Sequence, residues 1–596
     1  MDSRFLVGSR LGAALFAVAL VLTLESQAQE RRRGNQAYDW RRDWEVEEGL
    51  SLLVDAEGFR MPTAIAVVPS PGPGPKDPRY FVTELRGPVR VVTNDRSVYT
   101  FAENFFRLRP EKELPALEGE TGLAGICLDP TRGYVFVTFA YHDSAGVIRN
   151  GMVRFETTPG TFALAPRKTT SLSELFVPWE STISHQIGSC RVNDQHLFVS
   201  VADGRQTRKS QDTTALLGKV LRLTLDGRPA PGNPFRPVRD TAGAPNGAGA
   251  VWAYGFRNPF GMTTVDGVPY VADNGSGIDR FMRVRPRENY LWDGSDRSIG
   301  LRGDVVITPS VGPAHIEYVP EIATSLPDSL RSAFYVALSA PRAAGVLGIP
   351  FDVRAARPRG SPRYLVRYRG ASTQIISGIA LGDDGLYFAP ILPDSSGRTV
   401  VFRLSHDPAN AHPHVLLENK DPGTLIEANG CRGCHTIDGT GGGKGPTLDH
   451  DSLRARLVAR FSSAEYAQRV AELDRLDREP FSAYRDKRAR ILSADGEEKL
   501  QLWTRTKLLY PRFDDPSSLM PDPGLSETEA TVLARYLLGN PPEVDGPVGV
   551  RGGPLRFVRS LVPQPPRVRH LALAGLVGVV LGGILGIGLG RLRRTR

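Results

Sequence analysis

Residues 45–405 form short segments in which apolar and polar residues alternate, and they lack the 3.6-residue periodicity of amphipathic helices. An apolar segment, a polar turn with Asp, Gly or Pro, and a second segment rich in Val, Tyr and Phe recur at about 60-residue spacing. The copies are "PTAIAVVPSPGPGPKDPRYFVTE", "GLAGICLDPTRGYVFVTFA", "HQIGSCRVNDQHLFVSVAD", "NPFGMTTVDGVPYVAD", "LPDSLRSAFYVAL" and "SGIALGDDGLYFAP". Each copy predicts a strand–turn–strand core with room for two outer strands, so six copies predict a six-bladed β-propeller in a mainly β protein. A pair of β-sandwiches is the alternative, but a sandwich does not repeat one turn at this period.

Helical periodicity replaces this pattern in residues 418–541. A charged stretch over 452–509 predicts helices, and Ser526 with Glu529 predicts a capping box that opens the last one. We therefore expect an all-α domain after the propeller, followed by a linker at 542–569.

Both ends of the chain are apolar. Residues 1–28 combine early arginines, an apolar run and a small-x-small site, which predicts a secretory signal peptide; an uncleaved anchor is the alternative. Residues 571–590 contain no charge and are followed by arginines, which predicts a transmembrane helix with a cytoplasmic end. The expected location is the periplasmic side of the cytoplasmic membrane, with a single C-terminal anchor.

The net charge of +9 comes from 74 Lys and Arg against 65 Asp and Glu. The basic residues form no cluster interleaved with aromatic residues, and four of them follow the apolar C-terminal stretch. The excess therefore indicates a solvated surface, and no nucleic-acid partner is expected for an exported chain.

Cys431, Cys434 and His435 form a C-x-x-C-H motif in a Gly-rich context. A thiol redox pair is expected inside a βαβ pattern, which the flanking sequence lacks. A zinc site needs two further ligands at short spacing, and the remaining cysteines lie far upstream. The motif therefore predicts covalent haem c, with thioethers from both cysteines and His435 as an iron ligand.

Met520 is the only methionine after this motif, and it lies on a Pro-rich segment before the last helix. Residues 418–541 thus resemble class I cytochromes c. The resemblance implies Met520 as the second iron ligand, with His450 as the alternative. It also implies that the Pro446 carbonyl accepts a hydrogen bond from the His435 ring. The stretch 452–509 departs from the family because small cytochromes have less there.

The propeller repeats resemble the sugar dehydrogenases that use pyrroloquinoline quinone (PQQ), the soluble glucose dehydrogenase and sorbosone dehydrogenase group. The resemblance is carried by "GFRMPTAIAV", "RYFVTELRGPVRVV", "EGETGLAGICLDP", "GKVLRLTLDGRPAPGNPF", "YGFRNPFGM" and "ADNGSGIDRFMRV". It implies His185 as the base that takes the substrate hydroxyl proton, and Arg257, Asn258 and Glu120 as PQQ-binding residues. It also implies calcium near residues 273–279, bound largely through backbone oxygens.

The chain departs from this family at the start of the sixth blade. Glucose dehydrogenase has closely spaced arginines there, whereas this chain reads "TQIISGIAL", with Ser377 and no base. Arg342 and Arg369 are the candidates to replace them. Cys127 and Cys190 occupy matching points of two repeats; they are expected either as buried small hydrophobic residues or as a disulfide.

These features together predict a membrane-tethered oxidoreductase that oxidises a sugar or related alcohol at PQQ. Electrons would pass to the haem, whose iron is bound by His435 and Met520, and then to a downstream redox acceptor. The alternative is a propeller that docks a partner or glycan without catalysis, while the cytochrome alone acts as a relay.

Overall fold

A computed structural model describes residues 39–107, 120–177, 179–237, 247–307, 310–341, 343–394, 396–416, 421–476, 481–518, 520, 523 and 525–540. The chain divides into two compact units, Met1–Pro541 and Pro542–Arg596, and the described residues belong to the first. The predicted signal peptide, linker and transmembrane helix lie outside the described residues. Within the described ranges, no helix has the length and apolar character needed to cross a membrane.

Short antiparallel strands make up residues 44–406. They are β1 (Trp44–Val46), β2 (Leu50–Glu57), β3 (Pro62–Val67), β4 (Pro78–Glu84), β5 (Val89–Thr93), β6 (Val98–Ala102), β7 (Gly122–Asp129), β8 (Tyr134–His142), β9 (Ile148–Glu156), β10 (Lys168–Ser171), β11 (Ile187–Asn193), β12 (His196–Val201), β13 (Lys219–Thr224), β14 (Val251–Tyr254), β15 (Gly261–Val265), β16 (Val268–Asp273), β17 (Asp279–Arg283), β18 (Val305–Ile307), β19 (Pro313–Val319), β20 (Ala333–Leu338), β21 (Gly345–Asp352), β22 (Arg357–Pro358), β23 (Arg363–Tyr368), β24 (Ile376–Gly382), β25 (Gly385–Pro390) and β26 (Val400–His406).

Six sheets of this region are the blades of a propeller. Blades 1 to 4 have the orders β3-β4-β5-β6, β7-β8-β9-β10, β11-β12-β13-β14 and β15-β16-β17-β18. Blade 5 is β19-β20-β21-β23 with β1 at its outer edge, and blade 6 is β24-β25-β26-β2. The first strands β3, β7, β11, β15, β19 and β24 contact one another in a closed ring. The predicted six-bladed propeller is therefore confirmed.

The N-terminal strands close the ring. β2 pairs with β26 from Leu50 opposite His406 to Glu57 opposite Val400, so the sixth blade combines both ends of the propeller sequence. β1 extends the fifth blade by pairing with β23. Radial repetition of the blades leaves only short, protected strand edges, which limits edge-to-edge association.

The predicted repeats coincide with the first two strands in five of the six blades. The fifth is the exception, because its quoted segment begins at 326 and contains β20 but not the inner strand β19. The connection between β19 and β20 is long and includes a short 3₁₀ helix, Asp328–Leu330. A turn pattern could not locate the inner strand across that connection.

Neighbouring inner strands pack closely where their residues are small. A Cβ atom on Gly125 would lie 2.7 Å from the Gly188 carbonyl oxygen, and one on Gly261 would lie 1.9 Å from the Ala314 oxygen. His315 of β19 is a large residue in this ring. Its Nδ1 lies 2.8 Å from Ser189 Oγ and its Nε2 lies 2.8 Å from the Ala124 carbonyl oxygen. The imidazole therefore joins the fifth blade to the third and second.

Cys127 and Cys190 form a disulfide between blades 2 and 3, with Cα atoms 5.7 Å apart. This resolves the two alternatives left open by the sequence. Phe136 and Phe198 are matching residues of β8 and β12, but Cys127 pairs with Phe136 whereas Cys190 pairs with Val199, so the two cysteines are one residue out of step. Successive strand residues point to opposite faces, so a shift of one residue lets the two sulfurs face each other between the blades.

Eight helices occur in the described ranges, six of them after the propeller. They are α1 (Thr207–Gln211), α2 (Asp296–Gly300), α3 (Pro422–Ala428), α4 (His450–Ser462), α5 (Ala464–Asp474), α6 (Arg485–Ser493), α7 (Gly496–Leu509) and α8 (Glu527–Leu537). The predicted charged stretch 452–509 forms α4 to α7, and the capping box of Ser526 and Glu529 is confirmed. A short hairpin, β27 (Thr436–Ile437) with β28 (Thr440–Gly441), follows the C-x-x-C-H motif.

The helices after the propeller share one apolar core. Its fully buried members include Leu457, Val470, Ile491, Leu533 and Leu538, and α8 contacts both α3 and α7. Each such side chain contributes about 1.5–3 kcal/mol when removed from water, so the core is sufficient to order these short helices.

Candidate functional site

The predicted base and the predicted PQQ-binding residues lie at one end of the propeller. In an antiparallel pair, the start of the first strand and the end of the second lie at the same edge. Glu120, His185 and Arg257 precede the inner strands β7, β11 and β15, and Asp203 follows the second strand β12. Loops of blades 2, 3 and 4 therefore meet around His185.

His185 is paired with Asp203. Its Nδ1 lies 2.7 Å from Asp203 Oδ1, and the two residues are 5% and 1% exposed. A carboxylate only accepts hydrogen bonds, so Nδ1 carries a proton, and in the neutral form of the ring Nε2 holds the lone pair. Within the described ranges Nε2 has no hydrogen-bond partner. That is the state required of a general base.

Asp203 is itself held by two donors. Trp292 Nε1 donates to Oδ2 at 2.9 Å, and the Arg205 backbone N–H donates to Oδ1 at 2.9 Å. Neither Asp203 nor Trp292 was identified from the sequence. A signal for Asp203 was present, because "VAD" ends the second strand in both blades 3 and 4.

Glu120 positions the backbone of His185. Its Oε2 accepts from the His185 backbone N–H at 2.7 Å, and its Oε1 accepts from Ser184 Oγ at 3.2 Å. Arg205 Nη2 donates to the same Ser184 hydroxyl at 3.2 Å. The structure therefore brings Glu120 to the site as an exposed carboxylate beside the His185 loop.

The backbone at this point adopts an uncommon conformation. His185 has φ 60° and Arg205 has φ 55°, a region that residues with side chains rarely occupy. The Gly204 N–H donates to the His185 carbonyl at 2.9 Å, which ties the two turns together. Conformations of this kind persist where the surroundings enforce them, and they concentrate at active sites.

Arg257 and Asn258 lie beside the His185–Asp203 pair because the Arg257 backbone is hydrogen-bonded to Asp203. The Asp203 N–H donates to the Arg257 carbonyl at 2.8 Å. The Arg257 guanidinium donates to the Asn274 carbonyl at 2.7 Å and lies over the Trp292 ring, 5.7 Å from its centroid. Asn258 Oδ1 is buried without a partner in the described ranges. The guanidinium suits an anionic group of a ligand, and the buried Asn258 Oδ1 would accept from a hydrogen-bond donor of that ligand.

The carboxylates of the predicted calcium segment are already occupied. Asp273 forms a buried ion pair with Arg280 at 2.7 Å and accepts the backbone N–H groups of Arg257 and Asn258. Asp279 accepts from Ser310 and from three backbone N–H groups, and burial raises its pKa to about 6. Among the described residues no three His, Cys, Asp or Glu side chains are grouped to hold a metal ion. The side chains do not fit a calcium site, and binding through backbone oxygens stays a prediction.

Residues 373–381, at the start of the sixth blade, include no arginine or lysine. Gln374 is buried and donates to the carbonyls of Leu392 and Pro393, and Ser377 is buried in β24. Arg369 pairs with Glu45 of β1 at 2.8 Å, at the outer edge of blade 5, so it does not replace the missing arginines. Arg342 lies outside the described residues.

Cys431 and Cys434 lie on a 3₁₀ turn, Cys431–Gly433, directly after α3. With three residues per turn, residues three apart are eclipsed, so the two side chains leave the same side of the turn. Both sulfurs are free, and burial raises the pKa of Cys431 to about 11 and raises that of Cys434. A reactive redox pair needs a lowered thiol pKa, so this environment disfavours the redox interpretation.

The His435 ring has the predicted partner. Its Nδ1 lies 2.7 Å from the Pro446 carbonyl oxygen, so Nδ1 donates and Nε2 is left as the nitrogen available to a metal. Gly445 lies against the ring, because a Cβ atom there would be 2.5 Å from His435 Cε1. This explains the "GKGPTL" sequence as a loop that closely approaches the imidazole.

Met520 and Cys431 are both half-buried and pack against the helical core. His450, the alternative ligand, is exposed in the first turn of α4 and lies near Gly539. The roles of His435 and Met520 at an iron remain predictions.

The comparisons with known proteins bear on the propeller. Residues 59–325 match the Glucose / Sorbosone dehydrogenase family model. The matched segment contains Glu120, His185, Asp203, Arg257 and Asn258, and it supports the resemblance given by the sequence motifs.

Two relatives match shorter segments. The uncharacterised protein slr1608 of Synechocystis is 30% identical over 151 residues, which cover 22% of this chain and 35% of that protein. The aldose sugar dehydrogenase YliI of Escherichia coli is 38% identical over 68 residues, which cover 11% of this chain and 16% of that protein. The matches therefore span about a third or less of the relatives' own length.

Solved structures of similar fold include two aldose sugar dehydrogenases. The PQQ-bound enzyme of Streptomyces coelicolor is 21% identical with a TM-score of 0.44, and 60% of this chain covers 98% of that chain. The apo-form of the soluble Escherichia coli enzyme is 15% identical with a TM-score of 0.46, and 60% of this chain covers 99% of that chain.

Proposed function

We propose that the propeller is a quinone-dependent dehydrogenase of a sugar or related alcohol, and that residues 418–541 carry a covalent c-type haem that takes up its electrons. The observation that carries the proposal is the His185–Asp203 pair, which leaves His185 Nε2 free at the mouth of the propeller. The family match over 59–325 and the aldose sugar dehydrogenase of Escherichia coli support an aldose-type substrate.

His185 supplies the base. Asp203 fixes the tautomer and orientation of the ring, so Nε2 accepts the proton of the substrate hydroxyl that becomes a carbonyl. The positive charge that then forms on the imidazole is stabilised by the buried Asp203 carboxylate. General-base assistance of this kind contributes typically about 10²–10⁴-fold to the rate.

Arg257 and Asn258 are the residues that fit a bound PQQ. The guanidinium offers donors to a carboxylate, and the buried Asn258 Oδ1 lacks a donor in the described ranges. PQQ, when bound, supplies the acceptor for two electrons from the substrate carbon. The lack of arginines at the sixth blade means that Arg257 carries a larger share of the binding here than in glucose dehydrogenase.

The C-x-x-C-H region fits a c-type haem. Cys431 and Cys434 are free and on one side of their turn, and the hydrogen bond from Nδ1 to the Pro446 carbonyl leaves His435 Nε2 as the nitrogen that would bind iron. The haem, when bound, supplies a one-electron carrier. A carrier on the same chain raises its effective concentration near the propeller, which suits stepwise removal of two electrons.

The Cys127–Cys190 disulfide supports export to an oxidising compartment, because such bonds persist mainly there. It agrees with the signal peptide predicted over 1–28. Together with the predicted transmembrane helix at 571–590, the proposal places the enzyme on the periplasmic side of the cytoplasmic membrane.

The test combines mass spectrometry and spectroscopy on the purified full chain. Mass spectrometry shows whether haem is covalently attached and whether PQQ is released on denaturation. The protein is then incubated with PQQ and calcium, and aldoses and polyols are screened for reduction of its own haem. Quinone binding with substrate-dependent reduction supports the proposal. Protein that binds no quinone and whose haem no substrate reduces would indicate the docking or glycan-binding propeller with a cytochrome relay.

A further inference from the structure

A cavity lies between α6, α7 and the start of α8. Its volume is about 90 Å³, several times the roughly 10–15 Å³ that one water molecule requires. Both charged and apolar residues line the cavity. It is lined by Lys487, Arg490, Ile491, Leu502, Arg505, Thr506, Leu509, Tyr510 and Glu527.

Positive charge predominates around the cavity. Lys487 and Arg490 come from α6 and Arg505 from α7, whereas Glu527 of α8 is the acidic residue of the lining. The Arg505 guanidinium lies 3.5 Å from Glu527 at its Nη2 atom, and Lys487 Nζ lies over the Tyr510 ring at 4.7 Å. Neither Lys487 nor Arg490 has an ion-pair partner among the described residues. The cavity therefore has two cations more than it has anions.

Arg505 presents an uncompensated donor. Its Nε atom is buried and has no hydrogen-bond partner in the described ranges. Buried donors in native proteins nearly always have a partner, and an unmatched one indicates a bound water or ion. The cations beside this donor favour an anion over a neutral water.

We propose that this cavity binds a small oxyanion, a carboxylate or phosphate group, through Arg505 with Lys487 and Arg490. The unmatched Nε of Arg505 supplies a charge-assisted donor to one oxygen of such a group, while its Nη2 stays beside Glu527. Ile491, Leu502 and Leu509 form the apolar part of the lining, so the site also accepts an oxyanion that carries an apolar portion.

The cavity lies next to the segment that carries Met520. Tyr510 directly follows α7 and Glu527 begins α8, so the lining includes both ends of the segment that carries Met520. An anion held in the cavity restrains the residues that line it on either side of that segment. The cavity is built on α6 and α7, within the stretch 452–509 where the chain departs from small cytochromes. The inference depends on neither the haem nor the dehydrogenase activity.

Isothermal titration of the full-length protein tests the proposal, with sodium phosphate and sodium acetate as probes and sodium chloride at matched ionic strength as the reference. Arg505→Gln removes the charge, Lys487→Gln removes a second cation, and Arg475→Gln, an exposed arginine outside the cavity, is the matched control. We expect saturable binding to wild type and Arg475→Gln, and at least about tenfold weaker binding to the two cavity variants. Circular dichroism confirms that each variant is folded.

Hydrogen exchange supplies the second readout. In wild type the bound anion slows exchange in peptides covering 487–491 and 502–510, which line the cavity, and the Arg505→Gln variant does not respond. Vesicles of phosphatidylglycerol, with phosphatidylcholine as the neutral reference, distinguish a lipid headgroup from a free solute as the source of the oxyanion. Absence of saturable binding to wild type, or equal binding to wild type and both cavity variants, overturns the proposal.

Discussion

Nδ1 of His185 lies 2.7 Å from Oδ1 of Asp203, and both side chains are almost completely buried. This contact determines which ring nitrogen can act. Because Asp203 also accepts from Trp292 and from the Arg205 backbone, its carboxylate has one fixed orientation. The histidine is thereby held with Nε2 directed away from the carboxylate.

Replacing Asp203 by Asn tests this relationship. The amide no longer enforces the proton on Nδ1 and no longer stabilises the charged ring, so we expect kcat for haem reduction by substrate to fall by roughly 10²–10⁴-fold. Bound quinone should change little, whereas the melting temperature should fall, because the amide nitrogen of Asn cannot accept from the donors that surround Asp203. Asp194→Asn, in the turn that joins β11 to β12, is the control and should leave kcat unchanged. An Asp203→Asn enzyme with normal kcat would show that the pair is structural.

His185→Ala and Arg257→Ala separate catalysis from cofactor binding. Loss of the base should slow haem reduction while bound quinone is retained, as measured by mass spectrometry. Loss of the guanidinium should release the quinone, because a charge-assisted hydrogen bond is roughly twice as strong as a neutral one. If both variants lose quinone equally, His185 contributes to the cofactor site and not to proton transfer.

The fold followed from the sequence more fully than the site did. The blades repeat one strand–turn–strand pattern, and each copy adds independent support for a propeller. The fifth blade was misplaced because its first two strands are joined by a long connection containing Asp328–Leu330. Local periodicity carries no information across such a connection.

The site depends on contacts between distant parts of the chain. Trp292 lies 89 residues from Asp203 in the sequence, and no local pattern links the two. The ion pair of Asp273 with Arg280, seven residues away, was not predicted from the sequence either. By contrast, the His435–Pro446 hydrogen bond was expected from the resemblance to class I cytochromes c.

His315 makes the stability of the propeller depend on pH. Burial, and then the charge of Arg191, lower the pKa of His315 from 6.5 to about 3. The unfolded chain therefore binds a proton between these values that the folded chain does not. Stability should fall as the pH decreases from 6.5 toward 3, by up to about 1.4 kcal/mol per pH unit from this residue.

Urea unfolding at a series of pH values measures this contribution. His315→Gln should flatten the dependence between pH 6.5 and 3, and His406→Gln, an exposed histidine at the end of β26, should retain the wild-type slope. Identical slopes in all three proteins would mean that His315 is protonated in the folded state.

Removing the disulfide should destabilise the propeller. The Cys127–Cys190 bond closes a loop of 63 residues, and the chain-entropy account assigns such a bond about 4 kcal/mol. We expect the double variant Cys127→Ser, Cys190→Ser to unfold at lower urea concentration than wild type. Wild type treated with a reductant under unfolding conditions should refold to the same lower stability. Equal stability of oxidised and reduced protein would contradict a bond between these residues.

The second iron ligand is tested through the spectrum of the haem. A haem with histidine and methionine ligands is low-spin, so Met520→Ala should give a high-spin or histidine-like spectrum while covalent attachment through Cys431 and Cys434 is retained. His450→Ala is the matched variant, because this exposed histidine is the other candidate and its removal should leave the spectrum unchanged. The opposite result, with Met520→Ala silent and His450→Ala altered, would transfer the ligand role to His450.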